Sequence, residues 1–310
     1  MLFNNSELIY LNEDITLESL ETFSNEIYFS CLESSAITSM VDYKTNLYNS
    51  GEITQESFSD TVNKYWEKFK EFAGKIIDSI KKLIDKTVIF FKRIFKKIGA
   101  KVESLKDDKN ESIVVTVKTH EEFFTKSGLL IDSPFKLYKN TITELDNKYK
   151  NSNFLSGELS KTAVDSIFSS DNPIETIGDL LSNSEFFNEK MLIQTCFHNG
   201  KEKEIEIDIN YEFRNHLRER FVRELDEENE IKTYNDQLKE KLNKLDDKIK
   251  QLEINKEESG DIDYIKCINP LMKIFKRNKE QIVELNKFSI YVFTNYASLV
   301  DNIIKKMQLR

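Results

Sequence analysis

At 310 residues the chain is long enough for one large domain or two ordinary ones, and its 32% of charged residues exceeds the usual quarter. It contains only 8 Gly and 3 Pro, so few turns are signalled, which favours long helices over a many-stranded sheet. Three cysteines, Cys31, Cys196 and Cys267, lie far apart and in no CxxC pair. This spacing argues against a disulfide framework and predicts buried or inert thiols in a protein made in a reducing cytoplasm.

The first residues of the chain lack the basic and apolar regions of a signal peptide, so we expect none. The most apolar stretch, residues 87–91, is closed off by Lys86 and Lys92. A bilayer-spanning helix needs about 20 apolar residues in a row. The sequence therefore predicts no transmembrane helix.

Residues 1–60 form an acidic segment with eleven Asp or Glu and one Lys, a net charge of −10. Apolar residues at helical spacing predict a helix over about 16–48, and Asn49-Ser50-Gly51 is a stop signal after it. Thr54 is expected to cap the next helix. The apolar positions are Leu17, Leu20, Phe23, Ile27 and Cys31.

Residues 61–102 reverse the sign, with twelve Lys or Arg against four acids and a net charge of +8. Because the whole chain carries −9, everything outside this stretch sums to −17. Apolar residues recur every 3 or 4 positions for more than 30 residues, which predicts one helix from Thr54 to about Gly99, roughly 65 Å long. The stripe runs through Trp66, Phe69, Ala73, Ile76, Ile80, Leu83, Thr87, Phe91, Ile94 and Ile98.

Residues 103–210 have mixed patterns. Residues 112–117 are typical of a strand, and alternating Ile205, Ile207 and Ile209 follow Asn199-Gly200, the preferred pair of a tight hairpin turn. We expect a β-hairpin over residues 191–209. Helices are expected around residues 135–150, 156–170 and 173–188.

Residues 211–310 are expected to form an antiparallel helical hairpin. The first arm resembles a coiled-coil seam, because apolar residues from Ile231 to Leu252 step by 3 or 4. Asn269-Pro270 has the pattern of an N-cap followed by proline at the first helical position, so the return helix should begin there.

Catalytic and metal-binding patterns are weak. His120, His198 and His216 are the only histidines, and Cys196 with His198 supplies two ligands at most, too few for a zinc site. The sequence has no GxSxG, HExxH, GxGxxG or GxxxxGK[ST] motif. We therefore predict no enzyme activity and no cofactor.

The basic amphipathic helix is the feature with functional content, and three interpretations compete. Its stripe is ordinary core, or it inserts into a membrane interface, or its lysines neutralise nucleic-acid phosphates. The core interpretation is favoured because the acidic flanks offer an intramolecular partner. The candidate contact residues are Trp66, Phe69, Lys82, Lys86, Phe91, Lys92, Arg93, Lys96 and Lys97.

The overall layout resembles virion structural and internal head proteins of large tailed bacteriophages. The resemblance rests on an acidic arm with Leu17-Glu18-Ser19 and Leu32-Glu33-Ser34-Ser35, followed by a long Lys/Ile/Phe helix from Trp66 to Ile98, a mixed middle and a C-terminal hairpin. It implies packaging in or on the particle and no enzymatic role. It also implies removal of an N-terminal segment by a phage protease in some members, and Ser24-Asn25-Glu26 and Ser50-Gly51-Glu52 match one such small residue-x-Glu pattern.

The expected fold is mainly α, with long amphipathic helices, a C-terminal antiparallel helical hairpin and a small β element in the middle. We expect four segments: an acidic arm (1–60), a basic helix (61–102), a mixed region (103–210) and the hairpin (211–310). The expected function is a non-enzymatic virion component, made in the host bacterial cytoplasm. Its partners would be other virion proteins, with DNA or membrane contact through 61–102 and self-association through 211–310. The alternatives are a membrane-active protein acting through 61–102 or a coiled-coil binding module. The arm and the basic helix are expected to dock on one another, with the arm either masking the helix until assembly or forming a fixed part of the fold.

Overall fold

The computed structural model describes residues 15–105, 111–118, 187–197, 202–223 and 262–308, with a few isolated positions between them. This described part is mainly α-helical. The expected helices at 135–150 and 156–170, nearly all of the one at 173–188, and the coiled-coil seam at 231–252 lie outside it. The elements are α1 (Leu17–Asn49), α2 (Gln55–Glu103), β1 (Glu111–Lys118), α3 (Glu189–Cys196), β2 (Glu202–Ile209), α4 (Tyr211–Arg218), a π-helical turn (Glu219–Arg223) and α5 (Ile262–Gln308).

Local sequence signals mark the start and end of α1 and the start of α2. The Thr16 hydroxyl accepts a hydrogen bond from the Ser19 backbone N–H at 3.1 Å, and the Ser19 hydroxyl oxygen accepts one from the Thr16 N–H at 3.0 Å, so a reciprocal cap starts α1. Gly51 follows α1 with a φ of 77°, a left-handed conformation that glycine adopts without steric cost. Thr54 then caps α2 by accepting from the Ser57 N–H at 3.3 Å. The predicted boundaries of α1 and the predicted start of α2 are confirmed, whereas α2 ends at Glu103 and so continues past its predicted end near Gly99.

Helices α1 and α2 are antiparallel neighbours. Near the chain turn, Tyr48 stacks on Phe58 at 4.7 Å between ring centroids. Towards the other end of α1, the Lys86 ammonium lies 5.0 Å from the centroid of the Phe23 ring. The expected docking of the acidic arm on the basic helix is confirmed for α1, and buried apolar residues supply most of the contact. The α1 residues of this shared core are Ile15, Leu20, Ile27, Cys31, Ile37 and Val41, with Leu17 and Phe23 partly buried beside them.

Helix α5 lies against both of the others and runs parallel to α2. Phe91 of α2 stacks on Phe293 of α5 at 4.0 Å, and Lys101 pairs with Asp301 further along both helices. Between residues 279 and 300, α5 is buried on nearly all sides, so it is the central helix of the described part. Its predicted start is wrong, because α5 begins at Ile262 and Pro270 lies inside it. A proline withholds one backbone N–H, and here the helix continues past that loss.

The second half of α5 carries the smaller elements. β1 and β2 pair antiparallel, from Glu111 opposite Ile209 to Lys118 opposite Glu202. The predicted hairpin over 191–209 is wrong in its first arm, since residues 189–196 form α3, capped by the Asn188 side chain, which accepts from the Met191 N–H at 2.9 Å. The turn at Asn199-Gly200 lies outside the described residues. A second apolar cluster joins these elements to α5 through Leu192, Ile207, Ile209, Phe213, Leu217, Leu285, Tyr296 and Ile303.

Buried polar side chains tie the segments together. The Gln281 side chain accepts from the Phe187 N–H at 3.0 Å and donates to the Phe187 carbonyl at 2.8 Å. Asn286 donates to the Thr87 hydroxyl at 3.1 Å. Buried polar groups need such partners, because leaving one unpaired costs about 1–3 kcal/mol. These contacts fix the position of α5 against α2 and against the start of α3.

Candidate interaction surface

The aromatic residues predicted to contact a partner lie in the core. Trp66, Phe69 and Phe91 have no exposed surface, and Trp66 stacks on Phe69 at 5.6 Å. The rest of the α2 stripe is also buried, including Ile76 and Ile80. The core interpretation of this stripe is confirmed, and in this conformation none of the three aromatic side chains can touch a membrane or another macromolecule.

The basic residues predicted with them remain at the surface. Lys82, Lys92, Lys96 and Lys97 are exposed, while Arg93 is half-buried and Lys86 lies over Phe23. Arginine and lysine commonly lay their stems along apolar surface and keep the charge in water. The exposed lysines, which we call the basic strip (Lys82, Lys92, Lys96, Lys97), thus present positive charge along the outside of α2.

The most unusual surface lies on α1. Seven large hydrophobic side chains are exposed in the described part of the chain, and five of them belong to this one helix: Tyr28, Phe29, Leu32, Met40 and Tyr43. Exposed apolar residues scattered singly need no explanation, but a concentration on one helix marks a surface built for contact.

Four of these five residues, all but Tyr28, form a continuous line together with the exposed Ala36, and we call this line the outer stripe. Phe29 is 65% exposed, Leu32 43%, Met40 41% and Tyr43 56%, and Ala36 in the middle is exposed as well. Successive members are 3 or 4 positions apart, so they share one face of the helix. At 1.5 Å per residue the line is about 21 Å long.

Helix α1 is therefore apolar on two faces. Leu20, Ile27, Cys31 and Val41 are buried on the side that meets α2 and α5. The outer stripe is a second apolar series on the same helix, and its residues also follow one another at intervals of 3 or 4 positions. Sequence reasoning found the inner series and missed the outer one, although the second periodic series was available as the signal.

Between α1 and α5, burial shifts the ionisation of two groups. Lys279 is fully buried and lies 5.1 Å from the Phe69 ring centroid, and its ammonium nitrogen has no hydrogen-bond partner in the described residues. Desolvation lowers the Lys279 pKa to about 8. Desolvation also raises the pKa of the Cys31 thiol to about 11, so this thiol stays protonated at neutral pH and is a poor nucleophile. The prediction of a buried, inert thiol is confirmed for Cys31.

Two grooves run along the α1–α5 boundary, and their charged residues are already engaged. The larger has a volume of about 530 Å³, and in it Lys273 pairs with Asp42 at 2.8 Å and Lys276 with Glu280 at 3.8 Å. The smaller, about 400 Å³, contains Cys31. Burial raises the pKa of the Glu280 carboxyl, which lines both. Within the described residues, no group of three or more His, Cys, Asp or Glu is placed to hold a metal ion.

None of the described helices is long and apolar enough to cross a membrane. No protein-family model matches the chain, and neither the curated proteins nor the solved structures contain a significant match.

Proposed function

We propose that this chain is a non-enzymatic structural protein of a tailed-phage virion, made in the host cytoplasm, that packs against other virion proteins through the outer stripe of α1. The observation that carries the proposal is the exposure of Phe29, Leu32, Met40 and Tyr43 on a helix whose opposite face is already in the core. The layout of acidic arm, basic helix, mixed middle and C-terminal helices is the second support.

A helix that is apolar on two faces normally lies between two neighbours. Helices α2 and α5 supply the neighbour on the inner side. A stripe of large apolar side chains facing water on the outer side favours self-aggregation unless another protein covers it. An assembled particle provides such a cover, and a structural role explains why the stripe is retained.

The basic strip supports a second contact, with packaged DNA. Lys92, Lys96 and Lys97 are grouped within six residues of α2, and phosphate neutralisation needs only accessible positive charge. The membrane alternative is less favoured, because insertion would require Trp66, Phe69 and Phe91 to leave the core. The other alternative is a coiled-coil binding module. Residues 211–310 would then provide the coiled-coil segment, and they would also be the segment for self-association.

The proposal includes a finer architecture. We take β1 and β2 as a small β element in the middle of the chain, supported by their continuous antiparallel register. We take residues 211–310 as an antiparallel helical hairpin. An ion pair between Lys239 and Asp85 places one described position of the expected first arm beside α2, the helix against which α5 also packs.

Mass spectrometry of purified phage particles tests the function. A constant number of copies per particle, retained after nuclease treatment and a high-salt wash, is the expected result. Particles assembled with the Phe29→Glu variant should lack the chain, while those with Tyr211→Glu, a change at another exposed aromatic residue, should keep it. Particles that are infectious and free of the chain would refute the structural role.

A further inference from the structure

We propose that a second copy of this chain covers the outer stripe, with the two α1 helices antiparallel and a two-fold axis passing beside Ala36. This inference rests on the proposed virion function, and it identifies the virion protein that packs on the outer stripe as another copy of this chain. The outer stripe is the same in both copies, as an isologous interface requires.

The spacing of the outer stripe is symmetric about its centre. Phe29 and Leu32 precede Ala36 by seven and four residues, and Met40 and Tyr43 follow it by four and seven. In an antiparallel pair centred on Ala36, Phe29 of each copy therefore lies opposite Tyr43 of the other. Leu32 likewise lies opposite Met40, so each large side chain faces another.

The smallest residue of the stripe sits where the helices would come closest. Packed helix axes are about 8–10 Å apart, and small side chains allow the shorter distance. Ala36 meets its own counterpart on the axis, between larger residues on both sides. This arrangement lets the flanking aromatic and aliphatic side chains interdigitate without a clash at the centre.

Charge selects the antiparallel arrangement over the parallel one. Residues 17–33 contain four Glu and no basic residue, whereas residues 34–49 contain one Asp and one Lys and have no net charge. A parallel pair would bring two segments of charge −4 together. An antiparallel pair places each acidic half beside a neutral half, and it also opposes the two helix dipoles favourably.

Particular positions agree with this register. Glu26 and Lys44 are each about 80° around the helix from Ala36 on the same side, so Glu26 of one copy would lie about 3 Å along the axis from Lys44 of the other, with opposite charges adjacent. Repulsion between like charges is thus avoided at these positions. The stripe is short, so the interface belongs to the small class and the dissociation constant is expected on the order of 10 µM.

The test is sedimentation velocity of the full-length protein from about 1 to 200 µM, a range set by that affinity. Wild type should pass from monomer to dimer. Leu32→Glu and Met40→Lys should each weaken the dimer at least about tenfold, since each buries an unpaired charge. The double variant should recover to within about threefold of wild type, because the introduced carboxylate of one copy then faces the introduced ammonium of the other and pairs with it.

Both substitutions fall at exposed positions, so the fold should be intact, and circular dichroism at 222 nm checks this. Tyr211→Glu changes an exposed aromatic residue on α4 and should leave the dissociation constant unchanged. A second measurement fixes the axis: oxidised Ala36→Cys should form an intermolecular disulfide. Asn25→Cys should not, because in the antiparallel register its two copies lie about 33 Å apart along the helix. Wild type, oxidised in the same way, shows how much crosslinking the three native cysteines give on their own.

A protein that stays monomeric at 200 µM, or whose dimer is unaffected by Leu32→Glu, overturns the self-association. A dimer in which the double variant is no tighter than the single variants, or in which Asn25→Cys crosslinks as well as Ala36→Cys, overturns the antiparallel register. The chain could still be found in purified particles in these cases, so failure here is separate from failure of the proposed virion role.

Discussion

Replacing Lys279 by Met should stabilise the protein, because the substitution removes a charged group from the interior. The lysine has no exposed surface, and its ammonium nitrogen finds no hydrogen-bond partner in the described residues. Its contact with the Phe69 ring at 5.1 Å compensates only in part. Methionine has a similar unbranched length and adapts to irregular spaces, so little volume is lost.

The magnitude follows from the Lys279 pKa. Desolvation lowers this pKa from 10.5 to about 8. At about 1.4 kcal/mol per pKa unit, the lysine costs the folded state about 3 kcal/mol at pH 7. The substitution also removes the cation–π interaction with Phe69, which is worth roughly 1 kcal/mol. A net gain in the free energy of unfolding of about 2 kcal/mol is therefore expected at pH 7.

The pH dependence has a definite sign. Below pH 8 the lysine carries its proton in both states, so the native protein bears the full cost of the buried charge. Between pH 8 and 10.5 the native state releases the proton while the unfolded state keeps it, and stability rises with pH. The advantage of Lys279→Met over wild type should consequently shrink by about 2 kcal/mol between pH 7 and pH 9.5.

Urea unfolding followed by circular dichroism measures both quantities, provided that the slope against denaturant is unchanged. Lys273→Met is the matched control, since this lysine lies on the same helix but is exposed and paired with Asp42, and it should shift stability by less than about 1 kcal/mol. If Lys279→Met is less stable than wild type at pH 7, or if its advantage does not depend on pH, the buried ammonium is not the cause.

Three further substitutions test the packing by urea unfolding or thermal melting. Gly99→Ala should destabilise the protein by about 1–3 kcal/mol, because a β-carbon there would lie 2.6 Å from the Phe221 carbonyl oxygen and the backbone must shift; an unchanged melting temperature would contradict this. Gly74→Ala is its counterpart on the same helix, with no atom within 4 Å of the new β-carbon, and should stabilise by about 0.5–1 kcal/mol through helix propensity; a loss of stability would show that the space is not open. Gln281→Leu should destabilise by about 2–4 kcal/mol, since it removes the side-chain amide that hydrogen-bonds both the N–H and the carbonyl of Phe187. Amide exchange at the start of α3 should then speed up, and protection equal to wild type would refute a role of Gln281 in holding α3 against α5.

Helix α2 was predictable from the sequence because several local signals agree. The Thr54 cap, the unbroken 3 and 4 spacing and the absence of proline all define the same element, and the structure places it at Gln55–Glu103. A 49-residue helix with one apolar stripe has few ways to pack, since only one face can be buried. The burial of Phe69, Ile76 and Ile80 follows directly.

The predicted β-hairpin failed because strand pairing is not a local property. The alternating Ile207 and Ile209 are both buried, yet β2 pairs with β1, about 90 residues earlier in the chain. An Asn-Gly pair indicates a turn without specifying what precedes it. The neighbouring residues 189–196 are helical because the Asn188 cap and the contact of α3 with α5 favour that conformation.

The sequence shows two apolar series on α1 but does not tell which of them is buried. The two apolar series of α1 are equally regular in the sequence, and nothing local ranks Leu20 and Ile27 above Phe29 and Tyr43. Only the packing against α2 and α5 buries the first series and leaves the second in water. The same packing moves Trp66 and Phe91 from candidate partner-binding residues into the core.

By itself, the sequence determined where α1 begins and ends, where α2 begins, and which residues can share a helical face, because caps, turn residues and side-chain periodicity act within a few positions. The tertiary structure alone decided which of those faces are buried. It also decided that α5 is central, with Lys279 and Gln281 inside it, since burial depends on neighbours that are distant in the chain. The outer stripe of α1 is the consequence: local periodicity makes it apolar, and the packing of three helices leaves it uncovered.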